Sequence, residues 1–501
     1  SEPVFDVDGE AGSAETVLQV LGELSRDVRE ELGDTTLEQS AGPSSETFTA
    51  ASLEAAKAYT NAQQLAFEGR LEDAVEQYRL ATDLDPKFGR AFSSWALAEF
   101  KLGRTEEATE LWEKALSLME TMTERERLRT LGLYYASVTR NFESAVQTFG
   151  ELAEKYPADT AGHNNYAVSA FQTLDFETAT EAGRRVLDIY PGSDLYRSNF
   201  ALYAMYAGEF GSAATVAQSL IEDNPGYGTS YLPVAIAHLA AGEFEAARAA
   251  YESMAQAETS EHKASLATLG LADMAVFQGD FSAAEKLLWD GIEVDIDADN
   301  RRAAAVKYVA LAESFSASGD HDAAVSAARE AVALSTSNAV QVSAAQVFLD
   351  AGEIAAAREI AAELGGMLQP QSRAFGRMLE GSIARVEGDF ANAVDLQRSA
   401  IELADLWLIR FELGRTFLEA EAYAEALSEF GACEARVGEA SAVFLDDQPT
   451  WRRMASLPYW SARAQQGLGM HTSSIEGFQV FLDRRPQGGP LADDARQRVN
   501  R

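Results

Sequence analysis

A chain of 501 residues with 79 acidic against 41 basic side chains carries a formal charge of −38, so its surface repels phosphate backbones and anionic lipid, and nucleic acid is not an expected partner. Its 47% apolar and 24% charged residues are those of a folded protein. That length exceeds a single core, so the chain must divide or repeat. The longest apolar run, Tyr231 to Ala241, contains Pro233 and His238 and falls well short of the roughly 18 residues of a membrane helix, so no direct membrane insertion is expected. The single cysteine, Cys433, has no partner for an internal disulfide and is expected as a small buried residue. The chain opens on Ser1 and acidic residues, without a signal peptide, and we expect it to be part of a longer protein whose upstream segment is missing.

In chain order, Ser13 is a plausible helix cap, Val17, Leu18, Leu21, Leu24 and Val28 form an apolar stripe, and Gly33 can end that helix. Residues 34–48, with Gly42 and Pro43, read as a linker. From there a phrase recurs: a glycine, a charged residue, and a small-residue helix, first as Gly69-Arg-Leu-Glu-Asp-Ala74. It returns at Gly103, Gly208, Gly242, Gly279, Gly319, Gly352 and Gly388, with weaker copies at Arg140, Leu174, Glu421 and Gly469. Successive starts lie 34, 37, 34, 34, 34, 37, 40, 33, 36, 33 and 48 residues apart. The glycine stops one helix in a left-handed turn and the acid starts the next. Pro86, Pro157, Pro191 and Pro225 lie twelve residues beyond the alanine of their phrases and stop the second helix. Small residues, Ala62, Ala96, Ala167, Ala201, Ala235, Ala272, Gly381 and Gly414, lie twelve before it and permit close helix packing.

These residues, with Trp95, Tyr166 and Leu413, resemble the tetratricopeptide repeat, whose period is about 34 residues. The resemblance implies an all-α fold, a tetratricopeptide-like helix-pair superhelical solenoid of about twelve degenerate repeats. We divide it into an acidic tail, helix and linker (1–48), a near-consensus array (49–260), a degenerate alanine-rich array (261–437), and a last helix pair with a C-terminal cap (438–501).

His163, His238, His262, His321 and His471 are scattered and form no metal-binding pair, and no phosphate loop, kinase motif or nucleophile elbow is present. Asp295, Asp297, Asp299 and Asn300 evoke a calcium loop but lack its glycine and closing glutamate, so a solvated acidic turn is expected. No catalytic, cofactor or metal site is therefore expected, and the remaining capacity is binding. A solenoid lines its concave wall with the first helix of each pair. The repeat register places Arg90, Lys101, Arg127, Tyr134, Asn164, Phe171, Met205 and Tyr206 there, where they could hold an acidic or C-terminal peptide. The alternative is that the aromatic residues and Met205 pack between helices.

Three further segments are similar to the C-terminal repeat region of bacterial eukaryotic-like serine/threonine kinases: Ala51 to Tyr59, Met122 to Leu128 ahead of Leu133 and Tyr135, and Phe481-Leu482 followed by Asp493 to Arg496. That resemblance implies a soluble, non-catalytic sensor or scaffold module of a bacterial protein anchored in the inner membrane, binding a peptide, a protein or a second copy of itself. A nucleotide cyclase, a transcription regulator or a free-standing assembly factor are the alternative contexts.

Overall fold

The computed structural model of the chain describes residues 49–257, 261–441 and 452–500, with the isolated positions 8, 10, 12, 20 and 24. Of the helix expected after Ser13, only Val20 and Leu24 are described, both helical, and the linker 34–48 lies outside the described residues. The described residues hold 25 α-helices and no strand. They fall into two compact units, Ser1–Gly192 and Ser193–Arg501, so the array boundary expected after residue 260 lies inside the second.

The first unit stacks four helix pairs: α1 (Leu53–Phe67) with α2 (Leu71–Leu84), α3 (Gly89–Lys101) with α4 (Thr105–Ser117), α5 (Glu124–Tyr134) with α6 (Phe142–Lys155), and α7 (Thr160–Gln172) with α8 (Phe176–Ile189). The second unit continues with α9 (Asp194–Tyr206) and α10 (Phe210–Asp223), α11 (Tyr231–Ala241) and α12 (Phe244–Ala257), α13 (Glu261–Gln278) and α14 (Phe281–Asp297), and α15 (Arg301–Ser318) and α16 (His321–Leu334). Then follow α17 (Asn338–Asp350) and α18 (Ile354–Gly365), α19 (Pro370–Val386) and α20 (Phe390–Leu403), α21 (Trp407–Glu419) and α22 (Tyr423–Ala435), α23 (Leu457–Gly467) and α24 (His471–Arg484), and the closing α25 (Pro490–Val499).

All twelve expected turn positions adopt the left-handed conformation. Nine are glycine; Arg140, Leu174 and Glu421 take it with φ of 51°, 66° and 60°, a conformation that costs a side-chain-bearing residue roughly 1–2 kcal/mol. One residue later an aspartate caps the second helix in several pairs: Asp175, Asp280, Asp320 and Asp389 each accept from a backbone N–H three residues on. Helices α2, α6, α8 and α10 each end two residues before the proline expected to stop them. Between the two helices of a pair, a small residue faces a large one. A β-carbon at Gly132 would stand 2.6 Å from the Phe149 ring, and one at Gly414 2.6 Å from that of Phe430.

Two features of the second unit depart from the sequence reading. Asp295 is not in a solvated turn: it is buried in the last turn of α14 and accepts from Lys307 Nζ at 2.5 Å. Lys307 is itself buried and also donates to Ser265 Oγ. Burial lowers the Lys307 pKa, and the Asp295 partner opposes that shift. Asp297 and Asp299 remain exposed. Cys433 is buried as expected, its thiol pushed up by burial.

The second feature is a return contact. The turn after α24 reaches back to the α13–α14 turn, about 200 residues earlier. Arg485 donates to the Val276 carbonyl at 3.2 Å and lies 5.2 Å from the centre of the Phe281 ring. Gln487 N–H bonds the Gln278 carbonyl at 3.3 Å, and Pro490 approaches Gly319 in the next turn. Burial alone brings the Arg485 pKa down to about 10.

Two outcomes test this architecture. Glu421 is exposed, so Glu421→Gly should relieve backbone strain without losing packing and raise the unfolding free energy by about 1 kcal/mol in denaturant titration. Arg485→Ala should accelerate hydrogen–deuterium exchange at Gln487 and at the backbone between Val276 and Phe281, leaving exchange in α1–α8 unchanged.

Candidate functional site

Within each unit the first helices of successive pairs touch one another, α1 on α3, α3 on α5 and α5 on α7, then α9 on α11 and α13 on α15 through to α23 on α21. Among the described residues the second helices make no comparable contacts, so the first helices form the tighter, inner layer of each unit and the second helices the outer one. Side chains on the free face of the first helices therefore converge.

In the first unit that layer is rich in arginine. Arg90, in the first turn of α3, is 7% exposed; its Nη1 donates to Ser93 Oγ at 2.8 Å and its Nε has no partner among the described residues. Ser93 Oγ lies 3.3 Å from Thr130 Oγ1 and so joins α3 to α5. The same wall holds Gln63, which donates to Tyr78 at 2.5 Å and to Ser94 at 3.2 Å. Burial raises the Tyr78 phenol pKa, partly opposed by the Arg90 charge. No carboxylate among the described residues lies within 4 Å of Arg90.

The neighbouring arginines are engaged. Arg125 and Arg129 converge on Asp159, whose side chain is fully buried: Arg125 Nε donates at 2.8 Å, and Arg129 donates from Nε at 2.9 Å and from Nη2 at 2.6 Å. Asp159 also caps α7 by accepting from Gly162 N–H at 2.9 Å. At the start of α5, Glu126 closes a capping box with Thr123 and accepts from the Thr49 N–H and hydroxyl. Ala51 N–H bonds Asp85 Oδ2 at 2.7 Å, so the segment entering α1 is pinned along the starts of α3 and α5.

Of the residues expected on the concave wall, Lys101 and Arg127 are exposed, at the end of α3 and in the first turn of α5, with no ion pair among the described residues. Arg127 lies one turn before Thr130 on α5. Asn164 is half-buried on α7. Tyr134 packs edge-on against Trp112, ring centres 5.8 Å apart. Phe171 is buried against Phe176, and Met205 and Tyr206 are buried in α9. These last three sit inside the packing, because an apolar side chain on a first helix gains more from interhelical burial than from an open groove.

The inner layer of the second unit carries a charge network that sequence reasoning missed. Arg385 of α19 donates to Glu419 at 2.5 Å and to Glu412 at 3.4 Å, both on α21. Arg415 donates to Glu412 at 2.9 Å, lies 3.9 Å from Asp350 of α17 and covers the Trp460 ring of α23 at 5.1 Å. Burial raises the Asp350 pKa, against the pull of Arg415. Burial opposes ionisation of Glu412 as well, yet the two guanidiniums and the Ser382 hydroxyl outweigh it and hold the pKa low. The recurrence of charges two or three residues before the turns at Gly352, Gly388 and Glu421 was the available clue.

Asp159 gives the first unit a pH dependence. Burial raises its pKa, but Arg129 and Arg125 prevail and bring it from 3.8 to about 2. A depressed carboxylate contributes stability that is present above about pH 4 and lost as pH falls through 2, here about 2 kcal/mol. Asp159→Asn should thus be less stable than the parent by about that amount at pH 6. Denaturant titrations should show the gap closing as pH falls toward 2.5.

The family model for the tetratricopeptide repeat matches residues 134–194 and 199–263. No curated protein sequence matches the chain. Among solved structures it is similar to the APC/C hetero-tetramer Cut9–Hcn1, at 15% identity over 96% of this chain and 83% of that one, with a TM-score of 0.41. It is also similar to a tetratricopeptide repeat protein from Parabacteroides merdae, at 13% identity over 59% of this chain and 99% of that one, TM-score 0.34. A third is YrrB, described as a TPR protein with an unusual peptide-binding site, at 14% identity over 36% and 93%, TM-score 0.30. With the family match falling on α5 to α13 and twelve helix pairs sharing one turn geometry, the chain carries tetratricopeptide repeats in a helix-pair solenoid.

Proposed function

We propose that the chain is a non-catalytic scaffold whose first unit holds an acidic segment of a partner protein on the inner layer of α3, α5 and α7. The observation that carries this reading is Arg90. A buried guanidinium is strongly disfavoured unless it is paired, and this one bonds only a serine hydroxyl among the described residues, with its Nε unused. A carboxylate from outside supplies the missing charge. Lys101 and Arg127, exposed on the same two helices, extend the cationic track, and Asn164 offers an amide on the next.

We further propose that this scaffold is the repeat region of a bacterial signalling serine/threonine kinase. That reading rests on the resemblance of residues 51–59, 122–128 and 481–496, and a kinase glycine loop in the sequence upstream of Ser1 would bear it out.

The binding reading is tested with a fluorescein-labelled ten-residue Glu/Asp-rich peptide in anisotropy titrations. The exposed pair Lys101→Glu and Arg127→Glu should weaken binding tenfold or more, about 1.4 kcal/mol, with an unchanged melting temperature. Arg90→Gln, which keeps hydrogen-bonding capacity without charge, should do the same. Equal affinity in both variants would remove the site from the first unit.

A further inference from the structure

The outer layer of the second unit carries a feature that the inner-layer reading does not use. Helix α14 presents three large apolar side chains to solvent: Trp289 at 48% exposure, Val294 at 57% and Ile296 at 45%. Elsewhere among the described residues the tryptophans are more covered than this one. Trp289 and Ile296 are seven residues apart, two helical turns, and so lie on one face about 10 Å apart. The indole is held in place edge-on against Tyr308 of α15, ring centres 5.8 Å apart and planes at 89°.

The charges of α14 around this stripe are mostly acidic. Asp290, Glu293 and Asp297 are exposed on α14, and Glu285 is half-buried one turn before Trp289. The one basic side chain of α14, Lys286, is already bonded to Asp290 at 2.7 Å. Burial raises the Glu285 pKa, and the neighbouring Asp320 raises it further, so the local field favours an added cation. Arg301 and Arg302 open the next helix, and Glu285 and Glu293, one turn to either side of Trp289, form no ion pair among the described residues.

We infer that this face is a docking surface for an amphipathic helix of a partner protein, one whose apolar residues at i and i+7 cover Trp289 and Ile296 and whose flanking lysines or arginines meet Glu285 and Glu293. An exposed, rigidly held tryptophan is the side chain that most often anchors such contacts. The acidic rim selects a basic partner and repels phosphate-bearing surfaces, which sets lipid and nucleic acid aside. The site is on the outer layer and is independent of the inner-layer site of the first unit.

The test uses a fluorescein-labelled eighteen-residue helical peptide with leucines at i, i+4 and i+7 and lysines on both flanks, beside a scrambled peptide of the same composition and a copy with glutamates on the flanks. The full chain should bind the lysine-flanked helix and neither control. Trp289→Ala combined with Ile296→Ser, and separately Glu293→Lys, should each weaken binding at least tenfold with the melting temperature kept. Lys101→Glu with Arg127→Glu should leave it unchanged. Equal binding of the scrambled peptide, or unaltered affinity in the α14 variants, would show only general attraction to an acidic protein and overturn the proposal. Light scattering that finds a dimer abolished by Trp289→Glu would assign the face to a second copy of the chain and overturn it as well.

Discussion

Every helix pair in this chain depends on one backbone constraint: the residue between the two helices must turn left-handed. Once it does, the second helix reverses against the first, and a small side chain on one can meet a large one on the other. Gly414 under Phe430 shows how little slack there is, since even a methyl group would enter the ring. The constraint is strong enough that Arg140, Leu174 and Glu421 obey it without being glycine, held there by the packing on either side. A stop displaced by one residue would rotate the following helix by about 100° and expose its apolar face.

That constraint is written in glycines, prolines and acids at fixed offsets, which is why the helix pairs and their turns were legible from residues alone. The uneven spacings were legible only as irregularities, and the structure gives the four longest a cause. The 37-residue step before Arg140 holds a short 3-10 turn at Met119–Thr121 and a π-helical segment at Tyr135–Thr139, which moves the small packing residue to Gly132. The 37- and 40-residue steps around Gly279 come from helices of 18, 17 and 18 residues, α13 to α15. The 48-residue step contains two 3-10 turns, Val437–Ser441 and Arg452–Ser456.

Buried charges were not legible. A lysine or aspartate in a helical pattern reads as surface, because a single charge has no sequence mark of its eventual partner. Lys307 of α15 is buried because Gly291 of α14 leaves space for its stem and Asp295, on that same neighbouring helix, accepts from its amine. Arg385, Glu412 and Arg415 are linked in the same way across α19 and α21. Breaking such a pair from one side strands a charge, so these networks fix which helices adjoin. On the candidate wall, Phe171, Met205 and Tyr206 shared the register of the basic residues yet went into the packing, since position on a helix does not say how closely the next pair approaches.

The net charge then acquires a structural origin. A left-handed stop is followed at once by the start of a second helix, whose unpaired N–H groups favour an acid. Glu72 and Asp73, Glu106 and Glu107, Glu143, Glu177, Glu245, Asp322 and Glu425 all occupy such first turns. Because second helices form the outer layer, this repeated preference puts acids on the outside, while arginines gather on the inner layer, where they join first helices to one another. The helix starts therefore contribute nine of the 79 acids, a recurrent but partial source of the net charge. The exposed acids of α14 are different, since Asp290, Glu293 and Asp297 lie beyond the first turn, where helix capping does not call for them.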